Sequence, residues 1–429
     1  MNVVRPARPI HLARPLALPC GAALPNRIAK AAMSEVLADR DTGAPTDALV
    51  ELYARWGRSG AGLLLTGNVM VGREARGELG QVVVEDDRHL PILRRWAEAA
   101  QAAGARLWMQ INHAGRQAPR TITTRPAAPS EIAMKGLRSV FAPPRALSDD
   151  DVRAIIRRFA IAARVAKAAG FAGVQIHAAH GYLLSQFLSP LANRRDDTWG
   201  GDATRRMRML LEIVRAVRAE VGAAFPVGVK LNSADFQRGG FDEDESMRVV
   251  VSLAAEGVDL LEISGGNYES PAMMGGAPNA PKKRASTVAR EAFFLDYARK
   301  VRAVAKIPLL LTGGMRTSTT MESVVARGEV DAVGMARPMA FEPDLPARIL
   351  AGEASAAQEV ELGVGIRLAD DLLHTLFSQA QLARMSHGLA PDPGMSRWRV
   401  LLAGIWNGYV ANPFACPAAP SPSRARPIA

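Results

Sequence analysis

Short aliphatic runs alternate with longer amphipathic segments from about Asn26 to about Leu350, and this alternation restricts the fold more than any other feature of the sequence. Eight runs are apolar and end in polar residues or glycine: Arg27–Met33, Gly62–Val69, Arg106–Asn112, Gly173–Ala178, Pro226–Asn232, Asp259–Gly265, Pro308–Gly314 and Ala332–Arg337. The segments between them have helical periodicity, as in Leu90–Ala103, Asp149–Ala169, Thr204–Val221 and Glu243–Ala255. This alternation predicts a parallel sheet, and eight βα units favour a closed (β/α)₈ TIM barrel. A doubly wound sheet usually carries a glycine fingerprint after its first strand, and none follows Met33.

Two stretches interrupt the alternation. Pro119–Arg145 is rich in proline, alanine and threonine and follows the third predicted strand, whereas Gly266–Ala289 is rich in glycine, proline and asparagine and follows the sixth. Both are predicted to be loops on the face where barrel enzymes keep their active sites, and the first is a candidate lid.

Helical periodicity returns after Gly352, with helices predicted at Leu368–Met385 and Trp398–Tyr409. We therefore expect a barrel over residues 1–353 and a helical C-terminal appendage over residues 354–412. The proline-rich residues 413–429 are expected to be disordered.

Composition argues against several functions. A net charge of +11 allows an anionic partner, but the basic residues are scattered, and no basic run is interleaved with aromatic residues as in a nucleic-acid surface. Two isolated cysteines, Cys20 and Cys416, are too few for a disulfide framework, a zinc site or an iron–sulfur cluster. We expect a cytoplasmic protein without a membrane span, because the sequence lacks both a long apolar run and a signal-peptide core before Pro19.

The segment Gly173–Asp197 places His177, His180 and Tyr182 just after a buried strand. A single histidine at a strand end is commonly structural. Together, two imidazoles can donate hydrogen bonds to one carbonyl oxygen while a phenol delivers a proton, which suits reduction of a conjugated carbonyl compound. The His-x-x-His spacing also occurs in metal sites, but no acidic or cysteine ligand stands close by, so no metal is expected.

Glycine-rich turns end the seventh and eighth predicted strands, in Leu311–Thr317 and Gly334–Pro338. Barrels commonly bind phosphate there, because glycine lets backbone N–H groups approach the phosphate oxygens and an arginine such as Arg337 adds donors. Taken alone, a Gly-Gly pair is equally typical of a tight turn.

The chain resembles the Old Yellow Enzyme family of NAD(P)H:flavin oxidoreductases over nearly all of Leu16–Arg348. The resemblance rests on Leu24–Glu35 (LPNRIAKAAMSE), on Gln110–Gln117 (QINHAGRQ), and on His177–Asp197 followed by the Trp-Gly-Gly of residues 199–201. It implies a barrel that holds non-covalent FMN, which NADH or NADPH reduces and a small electrophilic substrate reoxidises. Some larger relatives add an iron–sulfur module, for which this chain lacks the cysteines, so direct reduction by the nicotinamide is expected.

The resemblance also implies roles for individual residues. His177 and His180 would grip the substrate's oxygen, and Tyr182 would protonate its α-carbon. Ten residues would bind FMN: Ala32, Met33, Ser34, Gly67, Gln110, Lys230, Gly313, Gly314, Ala336 and Arg337. Lys230 stands where many relatives carry an arginine beside flavin N1 and O2, and a purely structural salt bridge is the other role considered for it.

The preferred hypothesis is that the protein is an ene-reductase that acts on the activated C=C bonds of α,β-unsaturated carbonyl or related compounds. An NADH oxidase, a quinone reductase or an amine demethylase could use the same flavin barrel. A non-catalytic phosphate-ligand binding barrel or scaffold is the alternative of another class. Substrate identity, NADH against NADPH preference, homo-oligomer formation and the role of residues 354–429 stay open.

Overall fold

The computed structural model describes residues 9–135, 139–265, 283–360, 362–365 and 367–409. Eight parallel strands form the barrel: β1 (Ile28–Lys30), β2 (Leu63–Met70), β3 (Arg106–Asn112), β4 (Gly173–Ala178), β5 (Val227–Asn232), β6 (Leu260–Ser264), β7 (Leu309–Thr312) and β8 (Ala332–Met335). Each strand pairs with the next, and β8 pairs with β1, so the sheet closes on itself. The predicted (β/α)₈ barrel is confirmed, with every strand inside or within one residue of its predicted bounds.

Helices surround the barrel and extend beyond it: α1 (Asp47–Gly57), α2 (Leu90–Gln101), α3 (Asp149–Ala168), α4 (Leu183–Leu188), α5 (Ala203–Val221), α6 (Glu243–Ala255), α7 (Lys283–Val304), α8 (Ser318–Ala326), α9 (Pro338–Phe341), α10 (Leu345–Leu350), α11 (Arg367–Ser386) and α12 (Arg397–Tyr409). Short 3₁₀ turns lie at Arg73–Ala75 and Gly115–Gln117. Small strands pair outside the barrel wall, Leu16–Ala17 with Ala23–Leu24 and Ala127–Ala128 with Arg145–Ala146, while Val82–Val83 extends the main sheet beside β2.

Side-chain caps determine where several helices begin. Ser148 Oγ accepts the N–H of Asp151, whose carboxylate accepts the N–H of Ser148 in return, so α3 starts at Asp149. Asp202 and Asp242 cap α5 and α6 in the simpler one-way manner.

The amino-terminal end of the barrel is closed by an apolar plug. Leu16, Leu18 and Leu24 of the first hairpin pack with Trp108, which is fully buried among the lower strand residues. A side chain at Gly173 would lie 2.6 Å from the Trp108 indole, so this position has to be glycine. Because this end of the barrel interior is apolar, we look for a polar site at the carboxyl ends of the strands.

The loop predicted at Gly266–Ala289 needs a correction. Residues 266–282 lie outside the described residues, but α7 begins at Lys283, so the last part of the predicted loop is helical. The physical reason is that the glycine and proline cluster ends at Pro281, and Lys283–Ala289 holds neither residue type.

Two helices, α11 and α12, occupy the positions predicted for the appendage, and α11 packs against α1 and α9. The residues predicted to form a disordered tail lie outside the described part of the chain. Among the helices that the structure describes, none is both long enough and apolar enough to cross a membrane.

Candidate active site

The closed parallel sheet brings the carboxyl ends of all strands to one rim. The predicted site residues occupy successive strands around it: Gly313 and Gly314 after β7, Ala336 and Arg337 after β8, Ala32, Met33 and Ser34 after β1, Gly67 in β2, Gln110 in β3, His177 in β4 and Lys230 in β5. Residues far apart in sequence therefore share one face of the barrel.

His177, His180 and Tyr182 form one cluster. The His177 ring centroid lies 5.0 Å from that of His180 and 5.0 Å from that of Tyr182, both nearly perpendicular. The backbone N–H of Ala179 donates to His177 Nδ1 over 3.2 Å, which leaves the imidazole proton on Nε2. His177 is thus set as a hydrogen-bond donor through Nε2.

His180 is held in a left-handed backbone conformation, with φ of 61°. Asn232 Oδ1 accepts its N–H over 3.2 Å, and Gln117 Nε2 donates to its carbonyl oxygen over 3.0 Å. The ring is held as well, because His180 Nε2 lies 2.6 Å from Ser264 Oγ. Groups from β5, β6 and the turn after β3 together maintain a conformation that costs a residue other than glycine free energy.

Burial keeps both imidazoles uncharged. It lowers the pKa of His177 well below 6.5, and the electrostatic interaction of a protonated His177 with His180 and with Lys230 lowers it further. The pKa of His180 is likewise lowered well below 6.5, by burial and then by Lys230. At neutral pH the cluster therefore offers neutral N–H donors.

Tyr182 lies at the start of α4 and is 8% exposed. Asn68 Nδ2 donates to its hydroxyl oxygen over 3.4 Å, and Asn112 Nδ2 donates to Asn68 Oδ1 over 3.1 Å. Since Asn68 is a donor in this contact, the phenol can use its own hydrogen as a donor elsewhere.

Four polar side chains, one each from β3, β4, β5 and β6, form a chain of contacts in the barrel interior. Lys230 Nζ and Glu262 Oε1 form an ion pair at a distance of 2.9 Å, but the angles of this contact are not those of a regular hydrogen bond. Gln175 Nε2 donates to Glu262 Oε2 over 2.8 Å, and Gln110 Nε2 donates to Gln175 Oε1 over 2.7 Å. The structural salt bridge considered for Lys230 is therefore present, at the position where the resemblance places a flavin-facing cation.

A second buried network lies under the segment that follows β1. Lys30 Nζ donates to Leu65 O over 2.8 Å and to Tyr53 Oη over 3.1 Å, and Tyr53 Oη donates to Glu35. Glu35 Oε1 also accepts the N–H of Gly67 over 2.7 Å. Burial lowers the pKa of Lys30 to about 8, an effect that Glu35 opposes.

Gly67 is glycine for a steric reason. A Cβ there would lie 2.2 Å from Met33 O and 2.1 Å from Glu35 Oε2. Its carbonyl oxygen accepts the Thr66 hydroxyl over 2.7 Å, and its N–H is bound by Glu35. The N–H of Gly67 is therefore not free to bind a cofactor, whereas its carbonyl oxygen keeps a second lone pair.

The turn after β7 has the character of an anion cradle. Gly313 and Gly314 have φ of 113° and 78°, and a Cβ on Gly313 would meet nothing within 4 Å. Thr312 Oγ1 is buried without a hydrogen-bond partner in the structure. An open glycine turn beside an unsatisfied buried hydroxyl fits a phosphate group.

The sequence patterns did not predict several polar residues of the site: Asn68, Asn112, Gln175, Asn232, Glu262, Ser264, Glu35 and Lys30. All but Glu35 belong to predicted strands, where a polar residue in an apolar run signals a buried partner. Across the described residues, no group of three or more histidine, cysteine, aspartate or glutamate side chains is arranged to hold a metal ion.

A closed barrel with a neutral histidine pair, a tyrosine and a phosphate-fitting turn at one rim fits the class of FMN-dependent barrel oxidoreductases. Residues 12–355 match the NADH:flavin oxidoreductase / NADH oxidase family, and the chain belongs to that family, whose solved members include Old Yellow Enzyme homologues. The predicted family, its FMN cofactor and its NADH-dependent oxidoreductase activity are thereby confirmed.

Individual relatives agree. The chain is 39% identical over 363 residues to the NADH-dependent flavin oxidoreductase IccE of Talaromyces variabilis, covering 80% of this chain and 86% of the relative. The solved 2-naphthoyl-CoA reductase is 26% identical, with a TM-score of 0.75 over 84% of this chain and 55% of its own. The Old Yellow Enzyme homologue of Zymomonas mobilis is 26% identical, with a TM-score of 0.68 over 82% of this chain and 95% of its own.

Proposed function

We propose that this flavin oxidoreductase is an NADH-dependent ene-reductase acting on α,β-unsaturated carbonyl compounds or related electrophiles. The observation that carries the proposal is the cluster of His177, His180 and Tyr182. The ring centroids of His180 and Tyr182 each lie 5.0 Å from that of His177. When bound, FMN would supply hydride from N5 to the β-carbon of the substrate after reduction by NADH, with NADPH as the other reductant to be tested.

Two groups of described residues would hold the two ends of this cofactor. Gly313, Gly314, Ala336 and Arg337 would hold the phosphate, where the unsatisfied Thr312 hydroxyl adds a donor. Residues 32–34, Gly67, Gln110 and Lys230 would line the ring system. Around the barrel, β1, β2 and β3 follow β7 and β8 in order, and Lys230 lies on β5, beyond β4. These residues therefore extend along the rim, as an elongated ligand requires.

The two imidazoles would bind the carbonyl oxygen of the substrate. Because burial keeps both rings neutral, they act as hydrogen-bond donors that stabilise the negative charge developing on that oxygen, without transferring a proton to it. An amine substrate offers no such oxygen, so the histidine pair favours carbonyl or nitro compounds over amine demethylation.

Tyr182 would deliver the proton that completes the reduction. Hydride addition at the β-carbon leaves electron density on the α-carbon, and the phenol O–H protonates it there. Asn68, which donates to the phenol oxygen over 3.4 Å, would stabilise the phenolate until solvent returns the proton. The 2-naphthoyl-CoA reductase among the structural relatives is also named as a reductase, which supports substrate reduction.

Anaerobic stopped-flow measurements test this function directly. The FMN-loaded protein is reduced with NADH or NADPH and mixed with 2-cyclohexenone. Tyr182→Phe should slow flavin reoxidation by the enone roughly 10²-fold or more, because it removes the proton donor, and should leave reduction by the nicotinamide unchanged. Tyr297→Phe is the control for loss of a buried tyrosine hydroxyl. Its hydroxyl lies 2.6 Å from Ser246 Oγ, which donates to Asn232 O, so this variant also measures any effect that reaches the rim through the backbone of β5.

Three other results would redirect the proposal. Reduced flavin that ignores enones but reacts rapidly with oxygen or a quinone would indicate an oxidase or quinone reductase on the same barrel. Equal rates for Tyr182→Phe and wild type would remove Tyr182 from the mechanism. A protein that cannot be loaded with FMN would support the phosphate-ligand binding or scaffold alternative.

A further inference from the structure

We propose that Glu262 is a positioning residue that holds Lys230 and lowers the reduction potential of the bound flavin by opposing the lysine charge. The inference rests on the proposed FMN site, because it takes from that site the assignment of Lys230 to the pyrimidine end of the ring. It goes further by assigning a role to a carboxylate on a different strand.

The geometry joins the two charges closely. Lys230 projects from β5 and Glu262 from β6, and the two residues are register partners on adjacent parallel strands. Their charged groups are 2.9 Å apart, with the Glu262 side chain 0% exposed and that of Lys230 6% exposed. With so little solvent, their charges are screened weakly.

The carboxylate is fixed from its other side. Gln175 donates to Glu262 Oε2 over 2.8 Å, and Gln110 donates to Gln175 over 2.7 Å. The family resemblance also implies that Gln110 meets the pyrimidine side of the flavin. The four side chains from Gln110 to Lys230 therefore form a continuous polar chain between two residues proposed to contact that end of the ring, and Glu262 is the one anion in this chain.

The sign of the effect follows from charge. Two-electron reduction adds negative charge at the pyrimidine end of flavin, which the Lys230 cation favours and the Glu262 anion disfavours. Because Lys230 is the closer group in the proposed site, the pair has a net favourable but reduced effect. An unopposed cation there would bind the reduced cofactor more tightly than the paired one does.

The alternative is that the pair only stabilises the barrel. Removing one partner of a buried ion pair is destabilising, so loss of stability alone would not separate the two roles. The readout has to be the ratio of the dissociation constants of oxidised and reduced FMN, which sets the potential shift on binding. This ratio is indifferent to a purely structural role.

The experiment measures this ratio by potentiometric titration of bound and free FMN at pH 6.5 in four proteins: wild type, Glu262→Gln, Lys230→Gln and the double variant. The expected order of the ratio of oxidised to reduced dissociation constants is Glu262→Gln first, then wild type, the double variant and Lys230→Gln. Glu262→Gln should raise the ratio about tenfold or more over wild type, which equals about 30 mV for two electrons. Glu245→Gln is the matched control, because Glu245 is a largely buried carboxylate that pairs with Arg206 between α5 and α6, outside the barrel.

The outcomes separate cleanly. A ratio in Glu262→Gln equal to that of wild type, with only the melting temperature lowered, would overturn the proposal. If Glu262→Gln does not fold, the double variant is compared with Lys230→Gln, because these two differ only in the Glu262 charge: a higher ratio in the double variant supports the proposal, and equal ratios overturn it. Enone reduction is not needed for any of these measurements, so the inference can fail while the proposed function stands, and the reverse.

Discussion

His180 adopts a backbone conformation that a residue with a side chain seldom takes, and contacts from Asn232, Gln117 and Ser264 maintain it. Strain of this kind persists only where the surroundings enforce it, and it is common at functional sites. The contact with Ser264 also links the ring tautomer to the direction of the serine hydroxyl. When the hydroxyl donates to Nε2, the ring proton lies on Nδ1 and is the one offered to a substrate.

Ser264→Ala should therefore weaken enone reduction without changing cofactor chemistry. Loss of a hydrogen bond that orients a buried group costs about 1–3 kcal/mol, so we expect kcat/KM for 2-cyclohexenone to fall roughly tenfold or more. FMN affinity and the rate of reduction by NADH should be unchanged. The control is Ser252→Ala, a serine of α6 whose hydroxyl donates to Arg248 O within the helix. Wild-type kinetics in Ser264→Ala would show that this contact does not orient His180.

At the scale of elements, the segment after β1 is held by charge as well as by packing. The ammonium of Lys30 in β1 donates hydrogen bonds to the Leu65 carbonyl oxygen in β2 and to the Tyr53 hydroxyl in α1. It lies 4.2 Å from the Trp56 ring centroid. Glu35 accepts from Gly67 of β2 on the other side of the segment. Residues 32–34, which we propose line the flavin, thus lie between two anchors, Lys30 and Glu35, that connect β1, β2 and α1.

The pKa of Lys30 gives this network a pH signature. Burial lowers that pKa from 10.5 to about 8, so between these values the folded protein binds fewer protons than the unfolded chain. Stability from this residue therefore rises with pH through that window, and below pH 8 the full cost of the buried charge applies.

Lys30→Met should remove this dependence. The difference in unfolding free energy between wild type and Lys30→Met should shift in favour of wild type by up to roughly 3 kcal/mol from pH 8 to pH 10.5. Urea titrations across that range measure it, with Lys306→Met as control because that lysine is exposed. A difference that stays constant with pH would mean that Lys30 does not titrate in the window.

The same networks show what the sequence could and could not predict. The eight strands followed from apolar runs, and the His177, His180 and Tyr182 cluster followed from three residues just past one strand. Lys30 and Glu262 carried a signal, since each is a charge within an apolar run. Their partners could not be inferred, because the residues that meet inside a barrel depend on strand tilt and stagger, which the sequence of one strand does not contain.

At the scale of the whole molecule, the appendage contacts α9, which directly follows Ala336 and Arg337, two residues that we propose bind the phosphate. This helix begins one residue after Arg337, and Trp56 Nε1 of α1 donates to Met339 O over 3.0 Å. On its other side, Phe341 stacks on Phe377 of α11, with ring centroids 6.0 Å apart. Because α1 and α11 both contact α9, the positions of Ala336 and Arg337, which we propose bind the phosphate, should depend on the docking of the appendage.

Phe377→Ala tests this coupling. Phe377 is 0% exposed, so truncation should cost about 3–5 kcal/mol locally and loosen α9 together with α11. We expect the dissociation constant of FMN, measured by fluorescence titration, to rise roughly fivefold or more. Leu401→Ala is the control, since this buried residue lies on α12 in the same apolar cluster. Faster amide exchange in α11 with unchanged FMN affinity would contradict the coupling, because it would show that the appendage can loosen without moving Ala336 and Arg337. An equal loss of FMN affinity in Leu401→Ala would instead assign the effect to general destabilisation of the appendage.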